Sequence, residues 1–194
     1  VNIQFEMWRK IKIICLVIVG IFFWALCGNL SAEEEVVKVE TFISKDGIHP
    51  GETFKVAFLV KISQNWHINA HELADEFLFP TSLTVEEDKS IKAMKYYYPE
   101  PKSGKFDYSE SELLVYDGGV ILGALVKIGD DVELGEQKLK AKFKYQACDN
   151  TSCLPPKTLN FEITFLVVNP SQETKKIHQE IFSKLDFEKD NTSL

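Results

Sequence analysis

From Val36 onward the sequence alternates between apolar and polar residues with a period of two, which constrains the fold more than any other feature. In "FKVAFLVKIS" the residues Phe54, Val56, Phe58, Val60 and Ile62 share one face. In "KLKAKFKYQA" the inward set is Leu139, Ala141, Phe143, Tyr145 and Ala147, and Lys138, Lys140, Lys142 and Lys144 form the other face. "TLNFEITFLV" sets Leu159, Phe161, Ile163, Phe165 and Val167 against Thr158, Asn160, Glu162 and Thr164. Successive strand residues point to opposite sides of a sheet, so these segments read as strands with one buried and one wet face. Shorter candidates are Val36–Ser44, Ser82–Glu87, Ile91–Tyr98 and the run Leu113–Ile128. "DGIHPGE", "DGG" and Glu133–Glu136 read as turns. Seven or eight such strands, with no long helical pattern among them, predict an all-β, immunoglobulin-like antiparallel β-sandwich.

The two ends differ from this body. Residues 1–32 carry Arg9, Lys10 and Lys12, followed by an uncharged run from Ile13 to Ala32. That is the form of a signal peptide cut after Ala32, and it also approaches the roughly 20 apolar residues of an N-terminal membrane anchor. Both alternatives put the body outside the cytoplasm, in the periplasm or exported, with inner-membrane attachment through residues 13–32 if the leader is kept. Leu26 before Cys27 is too large for a typical lipid-attachment site. The domain proper is expected over 33–169. In the tail, 170–194, Ile177, Ile181, Phe182 and Leu185 recur at helical spacing. They predict a short C-terminal helix capped by Ser171 and packed on the sandwich. A net charge of −7, from 22 basic and 29 acidic residues, argues against nucleic acid as a partner.

The chemistry concentrates in "YQACDNTSCLPPK", Tyr145–Lys157. Cys148 and Cys153 are the cysteines of the exported body, since Cys15 and Cys27 lie in the leader. The pair occupies the connection between two strong strands, where Pro155 and Pro156 stiffen the return. Continued alternation would place Ala147 inward and Cys148 outward. Three readings compete. A structural clip over so short a loop stabilises by about 2 kcal/mol. A zinc site needs two ligands besides the thiolates, for which His67 and His71 are candidates. A redox pair on a loop opens and closes with little backbone movement. Spacing alone leaves clip and redox open. Asn150–Ser152 is also a glycosylation sequon, and a glycan there would crowd the thiols.

"YQACDNTSCLPP" resembles the active-site segment of the N-terminal periplasmic domain of DsbD, the bacterial thiol:disulfide interchange protein. The matching residues are Tyr145, Gln146, Ala147, Cys148, Cys153, Pro155 and Pro156. "NWHI" (Asn65–Ile68), "YPEP" (Tyr98–Pro101) and "LLVYDGGVIL" (Leu113–Leu122) add to it over Val36 to Val168. The resemblance implies an immunoglobulin-like domain and electron transfer without metal or organic cofactor. Electrons would pass from a membrane-embedded or thioredoxin-like donor to thioredoxin-like periplasmic proteins. It further implies that Cys153 attacks and Cys148 resolves. Phe106 or Tyr108, in "KSGKFDYSESE", would be the cap over the pair, and Phe77 and Phe79 an aromatic wall. Full-length members continue into a multi-span membrane domain and a thioredoxin domain that this sequence does not carry, so a stand-alone domain working with separate proteins is expected. The rival function is a non-catalytic immunoglobulin-like binding module with a structural disulfide.

Overall fold

The structure is a computed structural model that describes residues 35–73 and 78–187. Two antiparallel sheets form the sandwich. One has the order β1–β2–β8–β5, built from β1 (Val37–Ile43), β2 (Thr53–Ile62), β8 (Gly119–Ile128) and β5 (Ile91–Tyr97). The other has the order β11–β9–β4, from β11 (Lys157–Val167), β9 (Gly135–Tyr145) and β4 (Ser82–Val85). The predicted faces meet between them. Phe54 and Phe58 of β2 pack on Phe165 and Phe161 of β11, with ring centroids 5.1 and 5.5 Å apart. Phe54, Val56, Phe58, Val60, Leu139, Ala141 and Phe143 are all buried. The lysines of β9 face outward, where Lys138 pairs with Glu162 at 2.5 Å and Lys142 with Glu86 at 2.7 Å. The sheets are tied along one side by tyrosine hydroxyls that accept from the β4 backbone. Tyr98 takes the Leu83 N–H at 2.8 Å and Tyr96 takes the Val85 N–H at 2.9 Å.

The run Leu113–Ile128 divides into β7 (Leu113–Asp117) and β8 at Gly118, whose φ of 62° suits glycine. A third sheet was not legible in the sequence. It has the order β10–β3–β7–β6, with β10 (Ala147–Cys148), β3 (His67–Asn69) and β6 (Lys102–Gly104) each two or three residues long. It contributes Ile68, Tyr116 and Ala147 to the main core and presents its other face to the cysteines.

The tail carries the expected short helix, but it starts later and is capped differently. Helix α1 is confined to Gln179–Phe182 and follows His178, in the left-handed region at φ 51°. Ser171 is not its cap: its N–H and hydroxyl both donate to Asn169 Oδ1, at 3.0 and 2.7 Å. The intervening chain is held extended, with Asp46 N–H on Lys175 O and Ile177 N–H on Ser44 O, so these backbone groups are committed before helix can begin. The apolar stripe does meet the sandwich. Phe182 and Leu185 are buried against Ala57, with Phe42, Tyr97 and Ile121 around them. Gly123 permits this approach, because a Cβ there would stand 2.9 Å from Phe187 Cζ and 3.0 Å from Leu185 Cδ1.

Candidate functional site: a disulfide at the end of the sandwich

Strand β9 runs between β11 and β4 as far as Tyr145, whose register partner is Lys157. At Gln146 the chain leaves that sheet, and Ala147 and Cys148 pair instead with Ile68 and His67 of β3. Ala147 packs into the main core and Cys148 lies on the opposite face of β10, as the alternation anticipates. That face is covered, however, and Cys148 is buried at 0% exposure instead of meeting solvent. Cys153 is partly exposed. The two sulfurs are joined, with Cα atoms 4.0 Å apart across an antiparallel bridge. Their union also removes the two thiolates on which a zinc site would depend.

The loop is shaped by Asp149. Its Oδ1 accepts the N–H groups of Thr151 and Ser152 at 2.7 and 2.8 Å and the Thr151 hydroxyl at 2.9 Å. Those backbone bonds, Thr151 first, hold the Asp149 carboxyl below its ordinary range. Leu154 N–H closes the loop on Ala147 O at 2.8 Å. Pro155 and Pro156 follow without donors, so pairing resumes only at Lys157.

Residues between β6 and β7 lie against this loop. Asp107 N–H donates to Asn150 O at 2.9 Å, and Asn150 Nδ2 donates to Asp107 Oδ2 at 2.8 Å. Phe106 stacks on His67 with centroids 4.0 Å apart, and Tyr108 stacks on Phe106 at 5.6 Å. The Tyr108 hydroxyl lies 2.7 Å from His67 Nε2. Gly104 makes room for the ring of Phe106, since a Cβ there would sit 2.8 Å from its Cζ. Phe106 and Tyr108 thus join His67, the cross-strand partner of Cys148. Phe79 is 52% exposed, with its N–H held by Gln146 Oε1 at 3.3 Å. Phe77 lies outside the described residues.

The two histidines weighed as zinc ligands have separate roles. His71 Nδ1 lies 2.9 Å from Thr81 O, and its ring stacks on Tyr98 at 3.6 Å. His67 is the residue that sequence reasoning undervalued. It stood in "NWHI", but only the register of β3 against β10 puts it opposite Cys148. Burial pushes the His67 pKa below the ordinary histidine range, against the opposing pull of the Asp149 and Asp117 carboxylates. Burial likewise drives the Tyr108 phenol up to about 12, with Asp149 adding to it.

A pH dependence follows. Below about pH 6.5 the unfolded chain takes up a proton that folded His67 resists. The stabilisation is therefore complete above that pH and is lost as pH falls towards the lowered folded value. Urea midpoints taken from pH 7.5 to 5 are expected to fall less steeply for His67→Gln than for the wild type. Parallel slopes would show that His67 does not titrate in this way.

An antiparallel sandwich that carries a loop-borne disulfide, with Phe106 and Tyr108 stacked about the neighbouring His67, defines an immunoglobulin-like domain of the thiol–disulfide interchange class. Residues 33–164 match the family described as thiol:disulfide interchange protein DsbD, N-terminal, and the chain belongs to that family. Among solved structures, the N-terminal periplasmic domain of ScsB from Proteus mirabilis is similar, with a TM-score of 0.51 and 11% identity. That likeness covers 81% of this chain and 57% of the other, and at this identity it speaks to the fold. The search of curated proteins gave no match. Among the described residues no helix is long and apolar enough to cross a membrane, and the apolar stretch 13–32 lies outside them.

Proposed function

We propose that this chain is an electron carrier in the periplasm, passing reducing equivalents through Cys148 and Cys153 to thioredoxin-like proteins. The observation that carries this reading is the inequality of the two sulfurs. Cys148 is fully buried beside His67, whereas Cys153 is partly exposed on the loop. A foreign sulfur in line for exchange meets Cys153 first. In the dithiol state the Cys153 thiolate attacks the partner's disulfide, forming a mixed disulfide and releasing one partner thiolate. Cys148, as thiolate, then attacks the Cys153 sulfur. The Cys148–Cys153 bond re-forms, and the partner leaves with two electrons and, after protonation, two thiols. Recharging is the reverse sequence with a membrane-embedded or thioredoxin-like dithiol as donor.

In this reading residues 1–32 deliver the chain, as a cleaved signal or a retained anchor, and 33–169 form the interchange domain with 170–194 appended. Phe106 and Tyr108 restrict access to the sulfurs until a partner displaces the segment that bears them. The exposed ring of Phe79 supplies apolar surface near the site. The rival is a disulfide that only braces the loop of a binding module.

Redox equilibration separates the two. With glutathione buffers, and with thiols counted on the peptides holding Cys148 and Cys153, a carrier is expected to interconvert within the range of thioredoxin-like proteins, above about −300 mV. A disulfide that stays oxidised down to that potential is a brace.

A further inference from the structure

Asn69 is 0% exposed, and its amide is fixed in one orientation by an uninterrupted set of bonds. Gln146 Nε2 donates to Leu154 O at 3.2 Å, which turns Gln146 Oε1 towards the Phe79 N–H at 3.3 Å. Asn69 Nδ2 then donates to that same Oε1 at 3.3 Å and to Phe79 O at 2.9 Å. Both neighbours are acceptors, so flipping the Asn69 amide would set oxygen against oxygen. The backbone is equally committed, with Asn69 N–H on Gln146 O at 3.4 Å and the Thr81 hydroxyl on Asn69 O at 2.6 Å. Asn69 Oδ1 is left buried with no donor, alone in this respect among the described residues. An orphaned buried carbonyl costs free energy, and in a native structure it calls for a reason.

The register supplies one. His67 lies directly opposite Cys148, and Asn69, two residues further along β3, faces the same side of the sheet. Cys148 and Asn69 are therefore diagonal neighbours across the β10–β3 pair. Reduction of the disulfide adds two electrons and two protons and turns buried Cys148 Sγ, which has no hydrogen while oxidised, into an S–H donor. We infer that the Asn69 side-chain carbonyl is the acceptor reserved for the Cys148 thiol, making Asn69 a positioning residue that favours the dithiol over the disulfide. The orphan belongs to the oxidised state and is relieved by reduction. A thiol held in this way stays protonated and parked until the mixed disulfide forms on Cys153. The inference rests on the cycling of Cys148 and Cys153 proposed above.

The test is equilibration of the full chain, wild type and Asn69→Leu, in dithiothreitol buffers. Dithiothreitol gives up two electrons and two protons and closes to its cyclic disulfide. Thiols are counted on the peptides of Cys148 and Cys153, so Cys15 and Cys27 do not contribute. Leucine removes both the orphan and the acceptor, and the equilibrium is expected to move about tenfold towards the disulfide, about 30 mV for a two-electron couple. A folded Asn69→Leu protein that equilibrates within about twofold of wild type, or moves towards the dithiol, overturns the inference. Should Asn69→Leu fail to fold, the infrared S–H band of reduced wild type, isolated by difference from Cys148→Ser, decides. A hydrogen-bonded frequency supports the assignment and a free-thiol frequency overturns it. A wild-type disulfide beyond the reach of glutathione would defeat the carrier reading alone, since the shift between the two proteins in dithiothreitol still decides the role of Asn69.

Discussion

Phe143→Ala is expected to lower the unfolding free energy by about 3–5 kcal/mol, a large share of the roughly 5–15 kcal/mol typical of a domain. Phe143 is fully buried in β9, the strand that leads to the cysteines. Its neighbours in register are Leu159 of β11 and Leu83 of β4, and its ring lies 5.3 Å from that of Tyr145. Truncation removes the transfer free energy of the ring and leaves a cavity between strands that are paired on both sides and cannot close in. The adjoining Lys144 points into solvent from the same strand, so Lys144→Ala should stay within about 0.5 kcal/mol of wild type. Urea titrations of the three proteins, compared at unchanged m-value, give the answer. Equal midpoints for the two variants would mean that the inward face of β9 is not the core.

The same strand explains how far the sequence could be read. Strands β2, β9 and β11 are 10 or 11 residues long, enough for a period of two to stand out, and their apolar faces met as expected. Strands β3, β6 and β10 have three, three and two residues, too few to display any period. Yet they form the sheet that bears the site. The rhythm of β9 put Cys148 on the right face but could not show its burial. Past Gln146 the chain changes partners, and the residues between β6 and β7 lie against the cysteine loop. Ser171 misled for a comparable reason. Its residue type suits a helix cap, but Asn169 takes its N–H and hydroxyl and the following residues bond to Ser44 and Asp46.

At the site, the cysteines were legible as a pair, because their neighbours Tyr145, Gln146, Pro155 and Pro156 are distinctive. Their roles came from resemblance rather than spacing. That Phe106 and Tyr108 converge on His67 is a tertiary fact, set by a loop anchored through Asp107 and Asn150. The amide set of Asn69 and Gln146 joins residues 77 positions apart and has no counterpart in any local pattern.

The largest chemical effect is expected from unequal removal of the two sulfurs. With Cys148→Ala, Cys153 still attacks a partner, but nothing resolves the mixed disulfide, so the complex should accumulate rather than pass through. With Cys153→Ala, the remaining sulfur lies at 0% exposure beside His67 and should capture almost nothing. The contrast between the variants should reach at least tenfold in trapped complex, in keeping with the dependence of exchange on access to the attacking sulfur. Both variants lose the same disulfide, so any loss of stability is shared and cannot produce the difference. The deciding measurement mixes each variant with an oxidised thioredoxin-like protein, quenches by alkylation, and maps the linked cysteine by peptide mass. A reductant-sensitive complex joined through Cys153, abundant for Cys148→Ala and nearly absent for Cys153→Ala, is the predicted result. Equal trapping by the two variants, or none with either, would contradict it.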